Sequence, residues 1–159
     1  VSNMQKAARV IAKEFAAADP VNASAYKANA AAYSKRLSVL NTWIKREVSR
    51  IPRKNRILST AHAAFGYFCN EYGFRPLPVK GLTAHQKTSA SYQAKVIQEI
   101  RKHQIKAIFP ELRANPKSLR IIAEEAGIKI GGTLVADGAP NYEKMMRDNV
   151  NLIVSALSQ

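Results

Sequence analysis

From Val1 to Ala18 the chain is alanine-rich with no helix breaker, and Val10, Ile11 and Phe15 supply its larger apolar side chains. This composition and spacing predict a helix. Asp19-Pro20 then interrupts. Asp suits the capping position of a following helix, and Pro suits its first turn, where the missing N–H had no partner. A much longer helix is expected to follow, to about Arg50. Its apolar positions Tyr26, Ala30, Tyr33, Leu37, Leu40, Ile44, Val48 and Ile51 advance in steps of three and four, so one stripe runs its whole length. Roughly 30 residues rising ~1.5 Å each span ~45 Å, longer than a small domain is wide. Such a helix serves as a spine between two domains or as a coiled-coil arm. Pro52 ends it.

Beyond Pro52 the texture changes to short apolar runs separated by helical patterns. Strands are expected at 56–60, 74–79, 106–110 and 128–134. Pro76 and Pro78 push the second strand to a sheet edge. Between and after them, helices are expected from Ala63 to Tyr72, Ser89 to His103, Pro116 to Ala126 and Ala139 to Leu157. Gly73 and Gly127 close the first and third, and 83–90 reads as a polar loop. Alternating β and α without strand-by-strand polarity predicts an α/β fold: a four-stranded parallel sheet flanked by helices and preceded by the long helix.

The composition supports a folded domain: 159 residues, 47% hydrophobic. One cysteine, Cys69, excludes an internal disulfide and any multi-cysteine metal cluster. No apolar run approaches the ~20 residues of a spanning helix. The chain opens without an initiator Met, already in helical pattern, so a piece of a longer protein is expected. The net charge is +14, and residues 1–60 carry 12 Lys/Arg against 3 Asp/Glu. This basic excess fits either a polyanion-binding surface or a solvated helix face. No stacking aromatics, zinc-finger pattern or RNP pattern accompanies it, so no nucleic-acid partner is expected.

In parallel α/β sheets, ligands sit beyond the carboxyl ends of the strands. That rule selects His62, residues 80–85, residues 111–113 and Asp137. No phosphate-cradling loop, dinucleotide fingerprint or nucleophile elbow is present, so an enzyme is not expected. His103 ends a helix and His85 falls in the polar loop, where solvation is the simpler reading. His62 directly follows an apolar strand, and Asp137 occupies the equivalent place after the fourth. Together they are either a hydrogen-bonded pair or half of a mixed N/O site suited to Zn²⁺ or Mn²⁺. Two ligands fall short of the four or so that zinc takes.

Specific motifs then carry a resemblance. Leu58 to Phe68 (LSTAHAAFGYF) with Tyr72-Gly73, then Ala107 to Glu111 (AIFPE), Ile130 to Asp137 (IGGTLVAD) and Tyr142 to Val150 (YEKMMRDNV) follow in order. Upstream stand Asp19-Pro20, Tyr26, Asn29-Ala30 and Tyr33. The whole resembles the manganese/zinc family of metal-binding ABC-transporter substrate-binding proteins (cluster A-I). The resemblance implies two α/β lobes joined by a rigid helix, with the metal between them and two ligands from each.

On this footing 1–18 is a helical remnant of the N-terminal lobe, 19–51 the long linking helix and 52–159 the C-terminal metal-binding lobe. The metal ligands carried over are His62 and Asp137, with transported Mn²⁺ or Zn²⁺ as cargo. Glu111 either hydrogen-bonds a ligand from behind or pairs with Arg113 at the surface. Implied partners are a membrane permease and the chain's own N-terminal lobe, missing here. The implied location is the periplasm or the outer face of the cytoplasmic membrane. Self-association of the fragment through surfaces the absent lobe would cover is a further expectation.

The sequence departs from the family at Ala63, where an acidic residue often stands, and at 83–88, a loop acidic in many members. The lost charge should weaken cation affinity. The rival reading is a basic, surface-exposed adhesin or interaction module that binds an anionic partner.

Overall fold

The computed structural model describes residues 1–61, 63–79, 89–111 and 116–158. Contacts divide the chain into two compact units, 1–46 and 47–159. The first is helical. Helix α1 spans Ser2–Ala18. A 3-10 turn, Pro20–Asn22, follows, with Asp19 at its cap accepting from the Asn22 N–H. The Asp19 carboxylate also accepts from the Tyr26 hydroxyl at 2.8 Å, and Phe15 packs edge-on against the Tyr26 ring at 5.5 Å. Asp-Pro thus acts as a corner. Gln5 braces α1 against the next helix by donating to the Ser34 carbonyl and the Ser38 hydroxyl, both at 3.0 Å.

Helix α2 spans Ala23–Ser49, and the boundary between the units falls in its last turn. Its apolar stripe is graded. Tyr26, Ala30 and Tyr33 are half-buried, whereas Leu37, Leu40, Ile44, Val48 and then Ile51 are buried. The helix tightens at its end, with Arg50 and Ile51 bonding three residues back, and Pro52 has no N–H to continue it.

The second unit is the parallel sheet. Strands β1 (Ile57–Thr60), β2 (Arg75–Pro76), β3 (Ala107–Phe109) and β4 (Lys129–Ile130) lie in the order β2-β1-β3-β4, every pair parallel. The second strand is short by assignment, yet its pairing continues. Arg75, Leu77 and Val79 donate to the carbonyls of Arg56, Leu58 and Thr60. Pro76 and Pro78 occupy the alternate positions, whose N–H would point away from β1. The two prolines therefore cost the ladder nothing and hold β2 at the edge.

Helices α3 (Gly66–Tyr72), α4 (Ala90–Lys102), α5 (Pro116–Ala126) and α6 (Tyr142–Leu157) alternate with and follow the strands. Ile108 anchors a core with Ile97 and Ile100 of α4 and Leu119, Ile122 and Ala123 of α5. Arg101 donates to the Glu125 carbonyl, tying those two helices together. Helices α3 and α5 close on Gly73 and Gly127, as read from the sequence. Helix α3 starts three residues later than the pattern suggests, after Phe65, which makes no side-chain capping bond. Helix α6 also starts three residues late, at the point where the Asn141 side chain accepts from the Lys144 N–H.

Candidate metal centre

The strand order reverses between β1 and β3: β2 lies outside β1, and β4 lies outside β3. A crevice for ligands opens at such a reversal, beyond the carboxyl ends of the strands. Thr60 and Phe109, the last residues of β1 and β3, pair side by side. Glu111 comes two residues after β3. It is 4% exposed and pairs with Leu134 in an isolated parallel bridge. Asp137 follows three residues after Leu134 and is exposed. Along the chain, His62 comes two residues after β1. His62, residues 80–88 with His85, and residues 112–115 with Arg113 lie outside the described residues. Among the described residues, no three metal-ligating side chains gather in one place.

The fourth strand differs from the continuous run read from the sequence. Ile130 pairs with Ile108, and Leu134 pairs with Glu111. Four residues thus advance along this strand against three along β3. The extra residue makes a bulge at Gly131-Gly132-Thr133. Both glycines have a steric reason. A Cβ on Gly131 would stand 2.2 Å from Cε1 of the buried Phe109 ring. Gly132 has φ +97°, where a side chain is strained, and a Cβ there would meet Leu152 of α6 at 2.8 Å. The bulge returns Leu134 to the sheet, fully buried, with its N–H donating to the Pro110 carbonyl at 2.8 Å. Successive amides of an extended segment point to opposite edges, so the next one, Val135, faces away from β3.

Asn149 of α6 meets it there. Its Oδ1 accepts from the Val135 N–H at 3.0 Å, and its Nδ2 donates to the Val135 carbonyl at 2.8 Å. The amide takes the place a further strand would fill, and it is 3% exposed on a helix face otherwise made of Met146, Val150, Ile153, Val154 and Leu157. In the sequence Asn149 stands out only as part of the motif Tyr142 to Val150. The available signal was a lone amide in an apolar stripe, since a buried amide requires partners.

Ionisation adds one feature. Burial pushes the Cys69 thiol up to about 11, so it stays protonated and is a poor metal ligand at neutral pH.

Residues 1–156 match the family described as zinc-uptake complex component A, periplasmic. The manganese-binding lipoprotein MntA of Bacillus subtilis (strain 168) is 37% identical over 163 residues, which cover 92% of this chain and 52% of that protein. A manganese-bound periplasmic metal binding protein from Candidatus Liberibacter asiaticus superposes with a TM-score of 0.85 at 27% identity, covering 98% of this chain and 60% of that one. The periplasmic zinc binding protein TroA from Treponema pallidum gives a TM-score of 0.81, also at 27% identity, covering 95% and 59%. The chain spans about half the length of the curated relatives it matches. With the family matched over nearly all its residues and the sheet as the motifs implied, the chain belongs to the metal-binding substrate-binding proteins of ABC transporters.

Proposed function

We propose that this chain is the C-terminal part of an extracytoplasmic solute-binding protein that delivers Mn²⁺ or Zn²⁺ to an ABC importer. It carries half of an inter-lobe metal site and performs no chemistry on its cargo. The observation that carries the reading is the strand order. It sets β1, β3 and β4 side by side in parallel, and in the sequence His62, Glu111 and Asp137 follow those three strands in turn. His62 supplies a neutral imidazole and Asp137 a carboxylate, a donor set suited to either ion. Glu111 supports a ligand by hydrogen bonding.

In the same reading, residues 1–18 belong with the N-terminal lobe, 19–51 form the linking helix, and 52–159 form the C-terminal lobe. The N-terminal lobe brings the remaining ligands. The partner is a membrane permease, met in the periplasm or at the outer face of the cytoplasmic membrane. Two ligands of about four hold a metal weakly, so the chain alone should bind far less tightly than the two-lobe protein.

The test uses the longer protein that joins this chain to an N-terminal lobe. Its thermal unfolding is recorded with and without Mn²⁺ and Zn²⁺, for the wild type, His62→Ala and Asp137→Ala. An ion that binds only the folded protein raises the midpoint by mass action. The expected result is a metal-dependent rise that each substitution diminishes. No rise in the wild type would overturn the reading and favour the basic surface as the working part.

A further inference from the structure

We propose that Asn149 is a positioning residue for the metal-binding carboxylate of Asp137. This rests on the metal-site reading above and deepens it. The segment that leads to Asp137 is held from two sides. On one side the Leu134 N–H donates to the Pro110 carbonyl. On the other, Asn149 occupies both polar groups of Val135. Upstream the chain has just passed a bulge, with Gly132 at φ +97°. Downstream Gly138, at φ +72°, turns it away. Asp137 is exposed, and Val135, two residues before it, is the last position in this stretch with described hydrogen bonds to fixed partners.

The direction in which the chain carries Asp137 out of the sheet is therefore set by the Asn149 amide. A carboxylate that must meet an ion between two lobes depends on that direction, because metal–ligand distances tolerate little error. The amide suits the task chemically. It offers one acceptor and one donor in a plane, which matches the N–H and C=O of one extended residue. A carboxylate would set oxygen against oxygen at the Val135 carbonyl. A leucine would fill the same space and leave both groups of Val135 without this partner.

A purely structural role makes a different prediction. A residue that only adds stability lowers the unfolding midpoint and leaves the affinity of the folded protein unchanged, provided binding is measured well below that midpoint. The experiment measures Mn²⁺ and Zn²⁺ dissociation constants at 25 °C, with metal-free unfolding midpoints, in the two-lobe protein. The variants are Asn149→Leu, Asn149→Ser, Asp137→Ala and Ile122→Ala. Ile122 is a fully buried residue of α5 in the core around Ile108, and its truncation serves as the stability control. Asn149→Ser is too short to reach both groups of Val135, and it serves if the leucine variant fails to fold.

The expected result is a weakening of about 10- to 100-fold for either Asn149 variant, the range for groups that orient metal ligands. Ile122→Ala should stay within about twofold of wild type at 25 °C, because it remains folded there. Wild-type affinity in both Asn149 variants, with Asp137→Ala impaired, overturns the positioning role and leaves the metal site standing. An equal loss in Ile122→Ala also overturns it, since the effect then follows stability. Unchanged affinity in Asp137→Ala removes the site itself, and the inference with it.

Discussion

Phe15 and Phe109 are the same side chain in two different settings. Phe109, in the sheet unit, is fully buried, with Gly131 left bare to make room for its ring. Phe15, in the helical unit, is 54% exposed. The contrast is general. Val10, Ile11, Phe15, Val21 and Val39 lie exposed in residues 1–46, against Tyr67 and Ile130 among the described residues of the larger unit. An apolar groove of about 340 Å³ follows the helices there, lined by Met4, Ile11, Phe15, Tyr26 and Tyr33 with alanines between. Amphipathic spacing tells which residues are suited to burial, and it does not tell what buries them. The sheet unit contains its own answer, and the helical unit holds apolar surface still without one.

Truncating each ring breaks or sharpens that contrast. Phe109→Ala should cost about 3–5 kcal/mol, as loss of a fully packed aromatic does. Urea unfolding measures it. Alkylation of the protonated, buried Cys69 thiol gives a second readout, and it should speed up as the unit opens more often. Gly131→Ala comes next, at about 1–3 kcal/mol, because the added methyl forces the Phe109 ring to move. Phe15→Ala in the present chain should cost less than about 1 kcal/mol, since little area leaves water on folding. Joined to an N-terminal lobe, the same change should cost about 2–3 kcal/mol. A large cost in the chain as it stands would mean that the ring is covered in solution. Sedimentation velocity would then show a dimer.

The smallest effect concerns the corner. Hydrogen bonds from Asn22, then Tyr26, hold the Asp19 carboxyl below its ordinary value of 3.8. A lowered carboxyl contributes stability that is complete above the free value and disappears as pH falls through the folded one. Asp19→Ala should therefore reduce helicity slightly at about pH 7, by a margin that shrinks as pH falls below 3.8, read by circular dichroism.

The regular elements were legible because each depends on local chemistry. Asp19-Pro20, the stripe from Tyr26 to Ile51, the closing Gly73 and Gly127, and α5 at Pro116–Ala126 all stand where the pattern put them. The prolines of β2 correctly announced an edge. The irregular parts were not legible, because they answer to distant partners. Ile128 to Leu134 reads as one apolar strand, yet Phe109 and Leu152 require glycine and a bulge in its middle. Phe65 before α3 has no cap to advertise the start, and Asn141, not the residues before Pro140, starts α6. Asp137 is proposed from its place after a strand, which the sequence alone supplies. For Asn149 the lone amide in an apolar stripe announced only that partners exist, and it could not name them, because they are backbone groups fourteen residues away.

The prolines of β2 and the amide of Asn149 have a joint consequence. A sheet grows when a free row of N–H and C=O groups accepts another strand, from the same chain or a neighbouring one. Here one margin carries rings where donors would be, and at the other the groups of Val135 are already engaged by a side chain. The β2 margin is therefore closed to a further strand, and so is the position of Val135 beyond the bulge. Copies crowded together should therefore not add strands at the β2 margin, where a neighbour would meet proline rings in place of donors.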